Sequence, residues 1–307
     1  MTDTSSATAG SMRVAVTGST GLIGSALVER LKRDGHTVVR VVRGRAGPGD
    51  VVWDPQAETI DAAALEGVDA IVHLAGENVG TRWTEDKKRS IMESRVKGTR
   101  LIARTAAHMT RRPSVFVQAA ATGIYGDRGD EVLNEASAAG KGFLADVGRA
   151  WEGASAMAEE AGIRVVKLRF GIVLSAKGGA LKQLLLPFRM GVGGPVGNGR
   201  QWMPWLSLDD AVEMIMSSLR DPRYRGVLNA ITGSARNQDF TRALGRAVNR
   251  PAFLPAPGFA LRALFGEMAD EALLGSQRAE PGRLRELGFT YRHPTLDDAL
   301  HAAIRGG

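Results

Sequence analysis

The chain has 307 residues, long enough for one large α/β domain or for a domain with a smaller partner. Its 44% hydrophobic and 24% charged residues are ordinary for a globular protein. Cysteine is absent, which excludes disulfides, thiolate catalysis and cysteine-ligated metals and is consistent with a reducing cytoplasm. The formal charge of +7 fits an anionic ligand such as a phosphorylated cofactor, or a solvated arginine-rich surface.

Other features argue against metal, nucleic-acid and membrane partners. The five histidines are never paired at metal-ligand spacing, so we predict no metal site. Lysine and arginine are scattered, with no basic stripe interleaved with aromatic residues, so we predict no nucleic-acid partner. No apolar stretch is long enough to span a bilayer, so we predict no membrane partner and a cytoplasmic location. The sequence leaves a homodimer open.

The first part of the chain alternates short apolar runs with helical patterns. Residues 1–11, rich in Ser, Thr, Ala and Gly, lack the features of a signal peptide, and we interpret them as a disordered leader. Strands are expected at Val14–Thr17, Val38–Val42, Ala70–Leu74, Val115–Val117 and Arg164–Leu168. Helices are expected at Leu22–Asp34, Thr84–Ala107 and Phe143–Glu160. This alternation predicts an α/β fold with a Rossmann-type, doubly wound parallel sheet.

The regular alternation of strand and helix patterns ends after about residue 175. A glycine-rich loop at 191–201 precedes a strand, Trp202–Leu206, and a helix that Ser207 opens. The last eighty residues read as helical and are punctuated by prolines. We therefore expect a Rossmann domain at 12–175, to which 202–230 returns. Residues 176–201 and 231–307 would form a smaller, mainly helical lobe that holds substrate or acts as a lid.

A glycine pattern directly follows the first strand. In "TGSTGLIG", Gly18 permits a tight turn and Gly21 lets phosphate approach backbone N–H groups at the helix N-terminus. Gly24 permits close packing of the helix on the strand. The spacing is GxxGxxG, and the order strand, glycines, helix makes it a nucleotide-binding signal. Thr20, Leu22 and Ile23 belong to the same cofactor-binding loop.

The second strand ends in "RVVRG", which bears on the choice of cofactor. Folds that prefer NAD place an acidic residue here, on the ribose 2′-hydroxyl. Arg43 instead can grip a 2′-phosphate with two hydrogen bonds, so we predict NADP(H). The alternative is a solvated strand-end charge.

The third strand ends in "HLAGEN", at the sheet edge where this architecture binds its cofactor. Leu74, Ala75 and Gly76 are expected under the adenine and ribose, because bulky side chains would block a dinucleotide. We interpret His73 as a packed strand residue rather than a catalytic one.

These motifs resemble the extended short-chain dehydrogenases/reductases, and more narrowly an atypical subgroup named "epimerase family protein". The matching stretches include "VTGSTGLIGSALVERL", "VDAIVHLAGENV", "SRVKGTRLIA" and "RFGIVLSAKGGAL". The tail "PAPGFALRALFGEMADEALLGSQRAEPGRLRELGF" is similar to the subgroup's own C-terminal segment of unknown function. The resemblance implies a cofactor contact for Arg95 as well; the alternative is a surface helix charge.

The resemblance also implies a catalytic Tyr-x-x-x-Lys pair, and this chain lacks it. No tyrosine is followed four residues later by lysine: the residues found there are Gly129 after Tyr125, Leu228 after Tyr224 and Thr295 after Tyr291. Alignment on Trp151-Glu152 places the tyrosine position near Leu144 and the lysine position near Gly148. The strand-end hydroxyl position falls at Ala121, one residue from Thr122.

Two functional interpretations stay open. One is an NADP-dependent oxidoreductase or epimerase of a small molecule, with the proton supplied by Tyr125, Glu77 or water. The other is a non-catalytic NADP-binding sensor or regulatory protein that acts through a protein partner. We favour the enzyme.

Four residues are candidates for contacting its substrate. Arg200 and Trp202, in "GNGRQWMPW", suit a planar or anionic ligand, although the tryptophan could equally serve inter-lobe packing. Glu77 and Thr122 are the other candidates, with helix capping as the alternative for Glu77.

Overall fold

The structure, a computed structural model, describes residues 10–306. The leader expected at residues 1–11 therefore lies almost wholly outside the described residues. The strands are β1 Arg13–Thr17, β2 Thr37–Val42, β3 Val51–Asp54, β4 Thr59–Ile60, β5 Ala70–His73, β6 Val115–Ala121, β7 Val132–Leu133, β8 Arg164–Phe170, β9 Ile172–Leu174, β10 Trp202–Ser207, β11 Gly226–Ala230, β12 Gly233–Arg236 and β13 Arg278–Ala279. The helices are α1 Leu22–Arg33, α2 Ala62–Leu65, α3 Glu85–His108, α4 Phe143–Gly153, α5 Ala156–Glu160, α6 Gly179–Arg189, α7 Leu208–Arg220, α8 Asn237–Ala247, α9 Gly258–Phe265, α10 Gly282–Glu286 and α11 Leu296–Arg305. A 3₁₀ turn spans Thr122–Tyr125, and a π-helical turn spans Ala269–Leu274.

The large sheet confirms the expected doubly wound fold. Its eight strands run in the order β11-β8-β6-β5-β1-β2-β3-β4, and all pairs but β3–β4 are parallel. Successive side chains of β1 enter different cores: Val14 and Val16 pack with α1 and α7, whereas Ala15 packs with α3. The carboxyl ends of β1, β2, β5 and β6 thereby meet along one edge, where such sheets bind ligands.

Two elements differ from the sequence-based expectation. The helix expected at Phe143–Glu160 is two helices, because α4 ends at Gly153 and the Ser155 hydroxyl donates to the Glu152 carbonyl oxygen at 3.3 Å. The strand expected at Val115–Val117 continues to Ala121, paired with β8 as far as Phe170. Alanine has a low strand propensity, so β6 extends to Ala121 because of its pairing with β8 and not because of local propensity.

A second layer of structure follows β9. β12-β10-β9 form a three-stranded sheet, and β13-β7 form a two-stranded one. Residues of α6, α8 and α11 pack with β9 and β10 of the three-stranded sheet to form one hydrophobic core. The tail is less helical than expected, since β12 and β13 fall within it. We keep the two-lobe division as an interpretation; α7 packs on α1, whereas β10 belongs to the smaller sheet.

Two absences hold for residues 10–306. None of the helices there combines the length and the apolar character needed to cross a membrane. In the same range, no group of three or more His, Asp and Glu side chains is arranged to hold a metal ion.

Candidate cofactor and active site

The glycine loop joins β1 to α1 with no room for side chains. Gly18 has φ of 65°, and a Cβ added there would lie 2.8 Å from the Ala75 nitrogen. A Cβ on Gly24 would lie 2.1 Å from the Gly18 carbonyl oxygen. The predicted roles of these two glycines, in the turn and in helix packing, therefore have a steric basis.

The N-terminus of α1 is left open. Gly21 is the N-cap, no side chain caps it, and the first turn carries no acidic residue. Thr20 and Gly21 are exposed, and Leu22 and Ile23 are half-buried. The first N–H groups of a helix have no partners inside the helix, so this end offers donors and a positive dipole to an anion.

Thr17 connects the glycine loop to the end of β5. Its hydroxyl oxygen accepts hydrogen bonds from the nitrogens of Leu74 and Ala75, both at 3.1 Å, and lies 2.8 Å from His73 Nδ1. Since its lone pairs are taken, the Thr17 hydroxyl donates to a neutral His73. Burial lowers the pKa of His73 to about 3, so the ring stays uncharged at neutral pH. His73 is thus a packed strand residue, as expected.

Arg43 projects beyond the end of β2 without a partner. It is exposed, and within residues 10–306 its side chain makes no hydrogen bond or ion pair. Its charge contributes to a lowered pKa of Glu77, so the two side chains face the same part of the crevice.

Glu77 forms an ion pair with Lys87. The Lys87 ammonium donates to Glu77 Oε1 at 2.6 Å, and this hydrogen bond is the main reason that the pKa of Glu77 is lowered. Glu77 therefore stays ionised at neutral pH and is poorly suited to donate a proton. It does not cap the next helix, whose N-cap is Thr84.

Arg95 lies inside the crevice wall and is not a surface helix charge. Its Nη1 donates to the carbonyl oxygens of Glu77, at 3.0 Å, and Ile91, at 3.2 Å. The guanidinium stacks on the Trp151 ring at 4.9 Å. A Cβ on Gly76 would lie 3.3 Å from Arg95 Cζ, so the glycine makes room for the arginine. Burial lowers the pKa of Arg95 to about 10, which leaves it positive.

The positions expected for the acid/base pair are closed. A Cβ on Gly148 would lie 2.7 Å from Ile124 Cβ, so α4 has no room for a lysine there. Leu144 belongs to an apolar cluster with Trp83, Phe265 and Leu273. The tail thereby covers the part of α4 where the tyrosine was expected.

Glu271, from the π-helical turn, was not anticipated. Its carboxylate accepts hydrogen bonds from the backbone nitrogens of Phe143 and Leu144, both at 2.7 Å, and so caps α4. The two partners lie 128 and 127 residues away in the chain. No local sequence signal reveals a cap supplied from such a distance.

Tyr125 is fully buried within a polar network. Its hydroxyl lies 2.8 Å from the Asn134 carbonyl oxygen and 2.7 Å from Asn229 Oδ1, and it accepts from Arg169 Nη1 at 2.8 Å. Arg169 also makes two hydrogen bonds, of 2.6 and 2.8 Å, to the Glu152 carboxylate. Burial raises the pKa of Tyr125. The geometry therefore argues for a structural role and against the proton-donor role considered from sequence.

Thr122 opens the 3₁₀ turn beside Ala121. It is 5% exposed, and its hydroxyl has no hydrogen-bond partner among the described residues. It thus differs from Tyr125, since its hydroxyl is still free to bind a ligand.

Arg200 and Trp202 belong to a separate surface group. Trp202 Nε1 donates to Asp130 at 2.9 Å, and the ring is stacked by Arg236 at 4.4 Å and Arg278 at 4.9 Å. Arg200 is exposed. These contacts do not bring the two residues to Glu77 or Thr122, so their substrate role remains a prediction.

Comparison with known proteins places this geometry in a family. Residues 14–230 match the model of the NAD dependent epimerase/dehydratase family. The chain belongs to that family. Residues 256–303 match a domain of unknown function, DUF1731, which identifies the family's atypical "epimerase family protein" members.

Three relatives of the family illustrate the likeness. The epimerase family protein Mb2239 of Mycobacterium bovis is 42% identical over 96% of this chain and 98% of its own. A crystal structure of human epimerase family protein SDR39U1 (isoform 2) with NADPH has a TM-score of 0.89 and 35% identity, and covers 96% of this chain and 100% of that one. A nucleoside-diphosphate sugar epimerase from Corynebacterium glutamicum has a TM-score of 0.79 and 35% identity, over 95% of this chain and 59% of that one.

Proposed function

We propose that the protein binds NADP(H) along the carboxyl edge of the large sheet and reduces or epimerises a small carbonyl compound. The observation that carries the cofactor assignment is an uncapped α1 N-terminus together with an Arg43 that is unpaired within residues 10–306. The first suits the diphosphate, and the second suits the 2′-phosphate that distinguishes NADP from NAD. The human relative crystallised with NADPH supports this choice.

The residues present fit such a cofactor. The N-terminus of α1 carries no capping side chain, and a side chain at Gly18 or Gly24 would collide with backbone. Leu74, Ala75 and Gly76 would lie under the adenine and ribose. Arg95, held by the Glu77 carbonyl and Trp151, would place a fixed positive charge in the same crevice.

For reduction, NADPH would supply hydride, and this chain would orient the acceptor. Thr122 is the hydroxyl that can hold a carbonyl oxygen, because it lies at the end of β6 and has no partner in the described structure. The proton would come from water, since Tyr125 and Glu77 are both engaged elsewhere.

A second candidate function rests on the closed α4 surface. Leu144 shares an apolar cluster with Phe265 and Leu273, and Gly148 is pressed against Ile124, so neither expected position of the acid/base pair on α4 offers an acid or base. A non-catalytic sensor of NADP(H), acting through a protein partner, needs no such group.

One experiment separates the two candidates. The protein is titrated with NADPH by fluorescence and then incubated with a panel of aldehydes, ketones and nucleotide sugars while NADPH absorbance is followed. Oxidation of NADPH by any member supports the enzyme. Epimers formed from any member are detected by chromatography and also support the enzyme. Tight NADPH binding with neither NADPH oxidation nor epimer formation across the panel rejects the enzyme in favour of the sensor.

Thr122→Val serves as the matched variant once a substrate is found. It keeps the side-chain shape and removes the hydroxyl. We expect kcat to fall by about tenfold or more, as for loss of one oriented hydrogen bond to the reacting oxygen, with NADPH affinity unchanged. An unchanged kcat would exclude Thr122 from the reaction.

A further inference from the structure

The exposed apolar side chains are concentrated on one part of the C-terminal region. Among the described residues, nine large hydrophobic side chains are exposed, and seven of them come from segments 186–192 and 253–264. We call these seven the apolar surface; they are Leu186, Met190, Val192, Phe253, Leu254, Phe259 and Leu264. Scattered exposed apolar residues are normal, but such a concentration marks a contact surface.

The two segments form one continuous face. The Leu254 nitrogen donates to the Gly193 carbonyl oxygen at 3.2 Å, and the Ala256 nitrogen donates to the Pro195 carbonyl oxygen at 2.9 Å. Helix α9, which contains Phe259 and Leu264, buries none of its eight residues. Its last residue, Phe265, packs into the apolar cluster with Leu144, whereas Phe259 and Leu264 are exposed and leave their side of the helix without a packing partner among the described residues.

The two stretches of chain that form this face carry charges of one sign. No Asp or Glu occurs from residue 179 to 208 or from 240 to 266, whereas these stretches carry seven basic residues: Lys182, Arg189, Arg200, Arg242, Arg246, Arg250 and Arg262. Lys182 and Arg189 are exposed and make no ion pair within the described residues. Arg262 is neutralised by Asp270 at 2.7 Å.

A basic cavity of about 490 Å³ adjoins Phe253, and its lining includes Arg242, Arg246, Arg250 and Ala252. Asp239 and Asp297 pair with Arg242 and Arg246, at 3.3 and 2.7 Å. Within the described part of the chain, Arg250 donates only to carbonyl oxygens, those of Arg189 at 3.1 Å and Asn249 at 3.3 Å. The cavity therefore keeps a net positive charge that suits a phosphate group.

We propose that the apolar surface docks on an anionic phospholipid bilayer. Phe253, Phe259 and their aliphatic neighbours enter the interface, and headgroup phosphates bind at the arginine-lined cavity and at Lys182 and Arg189. A second copy of this chain fits less well, because a two-fold contact would bring the same basic residues together. The surface also lacks the tyrosines and tryptophans typical of protein interfaces.

This contact is peripheral and needs no spanning helix, although the sequence alone led us to expect no membrane partner. The test is sedimentation with vesicles of phosphatidylglycerol and phosphatidylcholine in equal parts, and with vesicles of phosphatidylcholine alone. The variants are Phe253→Ser with Phe259→Ser, and Lys182→Gln with Arg189→Gln. The matched controls are Val52→Ser, at an exposed apolar residue elsewhere, and Arg33→Gln, at an exposed charge on α1.

We expect binding to the anionic vesicles and not to the neutral ones. Loss of both phenylalanines should weaken the partition coefficient by about tenfold or more. Each basic residue removed should weaken it by about fivefold, and the controls should leave it unchanged.

Several outcomes would overturn the proposal: no binding to anionic vesicles, equal binding to both vesicle types, or equal losses in the controls. It would also be overturned by a dimer that dissociates in the phenylalanine variant while vesicles are ignored. Calorimetric binding of inorganic phosphate without vesicle binding would assign the cavity to free phosphate instead. NADPH titration of each variant checks its folding.

Discussion

The two ends of the crevice differ in whether their polar groups already have hydrogen-bond partners within the protein. At the nucleotide end, the α1 N-terminus has no capping side chain and Arg43 has no partner within residues 10–306. At the other end, Tyr125, Arg169 and Glu152 satisfy one another, and Glu271 caps α4. Free donors mark a place that a ligand completes, whereas a satisfied buried network marks scaffold. The crevice of this protein is therefore organised around its nucleotide end.

The largest effect should come from filling the nucleotide end. In Gly24→Ala, the new methyl group would lie 2.1 Å from the Gly18 carbonyl oxygen, so the loop must shift. We expect a loss of about 3 kcal/mol or more in unfolding free energy, with loss of NADPH binding. Gly153→Ala, in a helix with open space around it, is the control and should be neutral. Near-normal binding by Gly24→Ala would remove the steric basis of the loop.

Tyr125→Phe tests whether the other end is scaffold. The variant deprives Arg169 of an acceptor and Asn229 of a donor. We expect a loss of about 1–3 kcal/mol in unfolding free energy, measured by denaturant titration, and unchanged NADPH affinity. Tyr291→Phe, which removes one hydrogen bond of 3.0 Å to the Ile231 carbonyl oxygen, should cost less. A stable Tyr125→Phe protein would contradict the scaffold role.

His73, buried beneath the nucleotide end, should make the free energy of unfolding depend on pH. Its folded pKa is about 3 against 6.5 for the free side chain, so between these values the unfolded chain takes up a proton that the folded chain refuses. Its contribution is complete above pH 6.5 and falls by about 1.4 kcal/mol per pH unit below it.

His73→Asn can still accept from Thr17 and does not titrate. Denaturant titrations between pH 4 and 6.5 should therefore show a shallower slope than the wild type. His301→Asn, at an exposed residue, is the control. An unaltered slope in His73→Asn would mean that His73 is not held neutral.

The smallest effect is expected for the remote cap. Glu271→Gln keeps one acceptor for the α4 nitrogens but loses the negative charge at the helix N-terminus. We expect a loss of about 1 kcal/mol in unfolding free energy. Glu267→Gln, which breaks an exposed pair with Lys88, should cost less than Glu271→Gln because solvent screens that pair. Equal costs would show that the tail does not hold α4.

Most of the fold could be predicted from the sequence, because most strands and helices here follow from the pattern of neighbouring residues. Strand β1, the glycine turn and α1 follow from apolar runs and from the positions of Gly18 and Gly24. The elements that it missed depend on distant partners. β6 continues through alanines because β8 pairs with it, and α6 contains Pro187, which local rules treat as a helix breaker.

The candidate site divides in the same way. The open nucleotide loop and the lost acid/base pair are both readable from residue spacing. Three features could not be predicted from residue spacing, because each depends on groups that only the fold brings together. They are the ion pair of Glu77 with Lys87, the burial of Tyr125 and the cap that Glu271 supplies.

The most direct test of the nucleotide end compares the NADPH and NADH dissociation constants of three proteins. We predict that the wild type binds NADPH more tightly than NADH. Arg43→Gln should weaken NADPH binding by about 10- to 100-fold and leave NADH binding unchanged, because only the 2′-phosphate loses a charged partner. Arg45→Gln, at an exposed neighbour, should match the wild type. Equal affinities in the wild type, or an unchanged ratio in Arg43→Gln, would contradict the account.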